Sequence, residues 1–361
     1  MIELTQPNGP ASFSHSTMSI KTALVVTSIS SPNEAMRALA IGAAQNNFDF
    51  LVIGDSKTPS GYQLDGAQFY SLDEQLARGG QFANLCPTKH YARKNVGYLL
   101  AMESGAEIII ETDDDNLPYE SFWADRNRIQ AVSVLENTGW TNIYSYFTRA
   151  NIWPRGLPLD AVQSRPPEYD SLPTREQDCP IQQGLADEDP DVDAIYRLTL
   201  PLPVTFEQGR RLALGRNAWC PFNSQNTTWW KDAFPLLYLP AYCSLRMTDI
   251  WRSFVAQRIA TVNDWAVLFH EATVWQERNE HNLMRDFEDE IPGYLNNRRI
   301  ANVLESLDLR PGVAEVSQNL LICYETLIRI GVMDKRELVL AEAWTSSVAA
   351  AEQRRRGAAT F

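Results

Sequence analysis

With 361 residues, 44% of them hydrophobic and 21% charged, the chain is long enough for one large soluble domain or a domain with an appendage. Its formal net charge of −13 opposes binding to nucleic acid or anionic lipid through bulk electrostatics. No apolar run approaches a membrane span and no basic stretch leads into an apolar core at the N-terminus, so the cytoplasm is the expected compartment.

Residues 1–19 are rich in Pro, Gly, Ser and Thr and read as a disordered leader. Lys21–Ser28, rich in β-branched residues, is predicted as a short buried strand. Ser31–Pro32–Asn33 breaks it and caps a helix over Glu34–Gln45, with Met36, Leu39, Ala40 and Ala43 on one face. Asp49–Gly54 is a second buried strand, and strand–helix–strand with tight connections implies a parallel sheet. Gln68–Ser71 reads as a short edge strand, and Tyr91–Ser104 as a helix with Val96, Leu99, Leu100 and Met102 inward. Arg93, Lys94 and Asn95 open that helix, where the dipole disfavours cations unless an anion is bound, so they are expected to meet a diphosphate or a base.

Glu107–Asp115 (EIIIETDDD) is the most informative stretch. Three isoleucines and an acidic tail look like a buried parallel strand running out into solvent. In extended chain, residues i and i+2 point the same way, so Asp113 and Asp115 can face one cation. Carboxylate oxygens suit Mg²⁺ or Mn²⁺, and the carboxyl edge of an α/β sheet is where such sheets bind ligands. The functional reading is a divalent cation holding a diphosphate; the alternative is a solvated acidic turn.

Beyond Asp115, Trp140–Phe147 reads as a strand, Asn151–Asp193 as long loops, and Ile195–Leu198 and Val204–Phe206 as further strands. Trp219–Trp230 mixes aromatic rings suited to stacking on sugars with Asn223, Gln225 and Asn226. Thr248–Ile259 is an amphipathic helix with Asp249 at its start, Trp275–Phe287 looks helical, and the pattern from Ile291 onward is helical throughout. Asp249 can be a helix-capping acid or the general base that deprotonates an acceptor hydroxyl. The scattered cysteines (Cys86, Cys179, Cys220, Cys243, Cys323), with no CxxC pair, read as core thiols. No GxxxxGK[ST] or HExxH occurs, which disfavours a P-loop NTPase and a zinc hydrolase.

Several separated stretches together resemble the STELLO family of glycosyltransferase-like proteins. They are TALVVTSISSPNEAMRALA, LVIGDSKTP, YARKNVGYLLAMESGAEIIIETDDDN, QGLADEDPDVDAIYRL, CPFNSQNTTWW, LPAYCSLRMTDIWRSFVAQ and TVWQERNEHNLMRDFEDE, in order over roughly residues 20–295. A weaker similarity, in layout alone, is to the UDP-arabinopyranose mutases. The STELLO resemblance implies an α/β fold: a GT-A-like, Rossmann-type mixed sheet flanked by helices over 20–290, with a C-terminal helical extension over 291–361. It implies a metal-dependent glycosyltransferase of polysaccharide biosynthesis, with Mn²⁺ or Mg²⁺, a UDP-sugar as the first donor to consider and a carbohydrate acceptor. A nucleotide-sugar mutase and a non-catalytic scaffold are the alternatives.

By position, the resemblance places Thr27, Ser28, Asp55 and Lys57 at the donor's base and ribose, with Arg93, Lys94, Asn95, Asp114, Arg197 and Arg278 also on the donor. Asp113 and Asp115 would hold the metal with His281, and His270 is the runner-up. Asp249 is the first candidate base, followed by Asp193 and Asp191, with Asp193 and Arg197 expected as an inner pair. The acids between Asp187 and Asp193 can equally form a surface loop. The C-terminal helices can pack on the domain or mediate self-association.

Overall fold

Residue alternation along the first strand decides which helix covers which face. The computed structural model describes residues 20–277 and 282–358. The expected leader over 1–19, Arg278 and His281 lie outside the described residues. β1 (Thr22–Thr27) is followed by α1 (Glu34–Gln45), β2 (Asp49–Ile53), β3 (Gln68–Tyr70), α2 (Leu72–Arg78), α3 (Gly80–Leu85), α4 (Lys94–Glu103) and β4 (Ile108–Thr112). Successive side chains of a strand point to opposite faces. Leu24 and Val26 accordingly join Met36 and Leu39 of α1 in one core. Ala23 and Val25 join Val96 and Leu99 of α4 in the other. Asn33 caps α1, accepting from the Met36 amide at 2.9 Å. At Gly97 a Cβ would fall 2.6 Å from Val25 and Ile53. Only glycine lets α4 sit this close to the sheet.

The chain continues through β5 (Asn116–Pro118), β6 (Ile129–Leu135), β7 (Gly139–Trp140), β8 (Thr174–Asp178), β9 (Ile181–Asp187) and α5 (Ala194–Thr199). Then come β10 (Arg211–Leu214), β11 (Ala218–Trp219), β12 (Asn226–Trp230), α6 (Thr248–Val262), β13 (Val267–Gln276), α7 (Leu283–Glu305), α8 (Val316–Arg329) and α9 (Arg336–Ala358). Among the described residues one mixed sheet runs β3-β2-β1-β4-β12-β9-β13-β10-β6-β8, with β5 paired to β13. β3, β2, β1 and β4 are parallel, and β12 enters antiparallel to β4. The expected architecture, a mixed sheet flanked by helices, is the one observed. The helices beyond 291 pack on it: Trp344 on α9 donates to the Pro235 carbonyl at 2.8 Å, and α7 runs continuously through Ile291.

Several expectations are corrected, among them the strand over Val204–Phe206, where only Val204 forms an isolated bridge, to Glu188. Ile195–Leu198 is helix α5 rather than strand, because Asp193 caps it through the Tyr196 amide. Trp140–Phe147 is a two-residue strand followed by a 3₁₀ turn. Trp275 and Gln276 end β13, and the helix starts only at Leu283, where the Asn282 side chain accepts from the Arg285 amide. The segment 151–193 also contains β8 and β9. All five cysteines are free thiols, and four are fully buried. No described helix is long and apolar enough to cross a membrane.

Candidate active site

The acidic turn forms where β4 runs off the sheet edge and the chain doubles back into β5. Asn116 fixes that reversal: its amide nitrogen donates to Thr112 Oγ1 at 2.9 Å and to the Gln225 carbonyl at 2.7 Å. β5 then pairs with the end of β13, with Asn116 opposite Gln276. Gln276 in turn donates to Asp115 Oδ1 at 2.8 Å. Asp113, Asp114 and Asp115 are thereby held on the wall of a cleft of about 760 Å³.

The ends of β1 and β2 form one side of this cleft, lined by Thr27, Ser28, Asp55 and Lys57. Ser28 donates to Asp114 Oδ2 at 2.6 Å, and Asn33 to the Asp114 carbonyl at 2.7 Å. Asp114 therefore ties the acidic turn to the end of β1. Asp55 Oδ2 accepts the His90 amide at 3.1 Å. Burial lowers the His90 imidazole pKa against the opposing pull of Asp55, so neutral His90 faces the cleft.

The three residues at the start of α4 prove unequal. Arg93 borders the cleft, but its guanidinium donates to Gln75 Oε1 and to the carbonyls of Ala83 and Cys86, at 2.7–3.1 Å. It anchors α2 and α3 instead of facing an anion. Asn95 exchanges two hydrogen bonds with the Leu239 backbone, at 2.8 and 2.9 Å. Lys94 lies beneath the acidic turn, its Nζ 3.2 Å from Asp113 Oδ1. Burial, opposed by Lys94 and reinforced by Asp115, pushes the Asp113 carboxyl up to about 6, although 31% of that side chain stays exposed.

The far side of the cleft is built around Arg155. Its Nε and Nη2 donate to Asp191 at 2.8 Å each. Its Nη1 and Nη2 donate to Asp249 at 3.1 and 2.9 Å, and Nη1 also reaches the Arg246 carbonyl. A guanidinium offers five N–H donors in a rigid fork, and this one uses all of them. Burial would lower its pKa, but Asp191 and Asp249 outweigh that and raise it. Asp249 Oδ2 also accepts from the Ser224 amide and hydroxyl, both at the longer distance of 3.3 Å. Ser224 Oγ has a closer partner in Tyr91 OH, at 2.6 Å, and Tyr91 OH lies 3.2 Å from Asp113 Oδ1. Hydroxyls thus connect the candidate metal ligand to the candidate base.

Other candidates fall away from this geometry. Asp193 is a buried helix cap, bonded to the Tyr196 amide and to Trp153 Nε1 at 2.7 Å each. Burial pushes its carboxyl to about 6, but it does not line the cleft. Arg197 pairs with Asp189 at 2.5 Å rather than with Asp193. His270 lies within β13, six residues before Gln276, or about 20 Å along a strand. Burial and nearby arginines depress its imidazole to about 3, and it is no partner for Asp113. The rings of Trp219, Phe222, Trp229 and Trp230 are core residues; from that stretch Ser224 and Gln225 reach the cleft.

Residues 246–348 match the family model of STELLO glycosyltransferases. Over this region, and in two curated relatives, the chain is similar to the STELLO glycosyltransferases. It is 30% identical over 256 residues to the probable glycosyltransferase STELLO2 of Arabidopsis thaliana, covering 65% of this chain and 33% of that protein. The probable glycosyltransferase STELLO1 of the same plant gives the same identity and coverage. The chain thus spans 33% of the length of these relatives. Among solved structures, a mycobacterial protein aligns with a TM-score of 0.37 at 10% identity, covering 77% of this chain and 75% of that one. Glucosyl-3-phosphoglycerate synthase of M. tuberculosis aligns with a TM-score of 0.35 at 10% identity, covering 77% and 81%.

The STELLO-matched region supplies Asp249 and a second cleft wall that sequence reasoning missed. Asn282, Arg285, Asp286 and Asp289 all line the cleft from α7. Their i, i+3, i+4, i+7 spacing puts them on one helix face, a pattern visible in NLMRDFED had the helix start been placed correctly. Arg155, in contrast, sits alone in a loop and carries no local signal.

Proposed function

We propose that the cleft is the active site of a metal-dependent, GT-A-type glycosyltransferase that moves a sugar from a nucleotide-diphosphate donor, a UDP-sugar in the first instance, to an acceptor hydroxyl. The observation that carries this reading is the placement of Asp113 and Asp115 at the carboxyl end of β4, in one cleft with the ends of β1 and β2 and with Asp249. Among the described residues no cluster of three or more His, Cys, Asp or Glu could hold a metal. Two hard carboxylates, leaving further positions to diphosphate oxygens and water, fit Mg²⁺ or Mn²⁺, which keep several such ligands. Bound there, the ion would supply Lewis-acid neutralisation of the leaving diphosphate.

The chain's own residues would do the rest. Asp55, Lys57 and the backbone around Thr27 and Ser28 would seat base and ribose. Asp249 Oδ2 would receive the acceptor proton, with the acceptor hydroxyl replacing the long bond from Ser224 Oγ while that hydroxyl keeps Tyr91. The acceptor oxygen bonds to the anomeric carbon as the bond to the diphosphate breaks, so this version of the reaction inverts the anomeric centre. A thermal-shift screen against nucleotide sugars, with and without Mn²⁺, tests the reading. One donor should stabilise the protein by about 2.7 kcal/mol at a hundredfold excess over Kd, and only with the metal. A panel without any such stabilisation would overturn it.

A further inference from the structure

We infer that Lys94 is a resident counter-ion that weakens the acidic turn's hold on a divalent cation, so that metal loading depends on arrival of the diphosphate. This rests on the glycosyltransferase reading of the cleft.

The Lys94 side chain is fully buried. Its Nζ reaches the Thr112 carbonyl at 2.7 Å, Tyr91 OH at 2.9 Å, Asp113 Oδ1 at 3.2 Å and the Ser224 carbonyl at 3.3 Å. An ammonium has three N–H donors, and four acceptors surround this one, so the charge is fixed in place. Lys94 does not border the cleft. A phosphate there would feel its field without touching it. The charge instead sits behind Asp113, the side chain proposed to take the metal.

Two consequences follow from Coulomb's law at such separations. Without metal, the ammonium offsets the mutual repulsion of Asp113 and Asp115. With metal, it repels the incoming dication through a poorly screened interior. Diphosphate oxygens bring negative charge that offsets this repulsion. Metal and nucleotide therefore strengthen each other's binding, and by linkage the factor is the same in both directions. Lys94 is a positioning and charge-setting residue, not a group that touches substrate.

The experiment uses the full chain with Mn²⁺ alone, then with UDP, following free Mn²⁺ by electron paramagnetic resonance. Lys94→Met removes charge and donors; Lys94→Gln removes the charge and keeps a donor for the Thr112 carbonyl. Either variant, if folded by circular dichroism, should bind Mn²⁺ alone about tenfold or more tightly than wild type. The tightening of Mn²⁺ by saturating UDP should shrink by a similar factor. Unchanged or weaker Mn²⁺ binding in a folded variant would overturn the assignment and leave Lys94 as a strut for Asp113. The wild type provides a test independent of variant folding: UDP that fails to tighten Mn²⁺ also overturns the inference. If neither wild type nor variant binds Mn²⁺ with UDP present, the glycosyltransferase reading itself fails.

Discussion

Arg252→Met should be among the most destabilising single changes in this protein, and its cost can be worked from the contacts. Arg252 and Glu111 are almost completely buried, at 1% and 0% side-chain exposure. They meet through two bonds, Nη2 to Oε1 at 2.7 Å and Nη1 to Oε2 at 3.0 Å. Glu111 also accepts from Tyr98 OH and from Trp229 Nε1, and the guanidinium lies 5.0 Å from the Trp229 ring. Removing one partner of such a pair costs about 3–5 kcal/mol, because the other charge stays buried and uncompensated. Tyr98 and Trp229 still solvate the carboxylate, so the lower half of that range is expected. Adding Glu111→Gln should recover part of the loss, with a coupling energy of about 2 kcal/mol in a double-mutant cycle. Urea unfolding followed by circular dichroism supplies the four stabilities. The pair also fixes the spacing of β4 and α6, two residues before Asp113 and one turn beyond Asp249. A loss below about 1 kcal/mol for Arg252→Met, a value typical of an exposed pair, would refute this reasoning.

Arg93→Ala should act on stability rather than on ligand binding, since it strands the Gln75 side chain and two buried carbonyls at about 1–3 kcal/mol each; a marked loss of UDP affinity at unchanged melting temperature would contradict this. Arg155→Lys keeps the charge but cannot bridge Asp191 and Asp249 with a planar fork. UDP release from the best donor should fall about 10²-fold, while calorimetric UDP affinity stays within a few-fold; near-normal turnover would remove Arg155 as the residue that sets Asp249. Glu337 on α9 accepts from Tyr238 OH and the Ala241 and Tyr242 amides, and burial, opposed by these donors, pushes its carboxyl to about 7. A raised carboxyl pKa means the folded state holds the proton longer, so its contribution is full below the unfolded value of 4.5 and is lost as pH rises through about 7. The stability of wild type relative to Glu337→Gln should fall by about 2–3 kcal/mol between pH 4.5 and pH 8 in urea titrations, and a pH-independent difference would refute it.

Local signals were reliable where one pattern dominated. The isoleucine run of β4, the β-branched β1 and the Asn33 cap each forced a single structure, but the extended reading of Asp113–Asp115 did not hold: β4 ends at Thr112 and the chain turns, the Asn116 amide donating to the Asp113 carbonyl at 3.3 Å. β9 was illegible because both of its faces are buried and each carries a glutamine, Gln182 or Gln183, whose amides are satisfied by carbonyls of Cys179, Gly184 and Asn226. A polar sequence can occupy a central strand when the folded chain provides partners for its side chains, and no single segment announces that. α5 was misread because a short apolar run fits either period. At the site, Thr27, Ser28, Asp55 and Lys57, assigned from strand ends, do line the cleft. The dipole argument expected Arg93 and Lys94 to meet a diphosphate or a base, whereas Arg93 bonds Gln75 and two carbonyls, and Lys94 bonds the Thr112 carbonyl and Asp113. Arg155 pairs with Asp191, 36 residues on, and with Asp249, 94 residues on, pairings that exist only after folding.

The account stands most directly on whether the acidic turn makes nucleotide binding metal-dependent. Calorimetric titration of UDP and of GDP into the full chain, in Mn²⁺ and in EDTA, measures this. Binding of one nucleotide should be strong with Mn²⁺ and at least about a hundredfold weaker in EDTA, a difference of about 2.7 kcal/mol, and Asp113→Asn with Asp115→Asn should abolish that difference. A nucleotide that binds equally well in both buffers would contradict the metal role of Asp113 and Asp115.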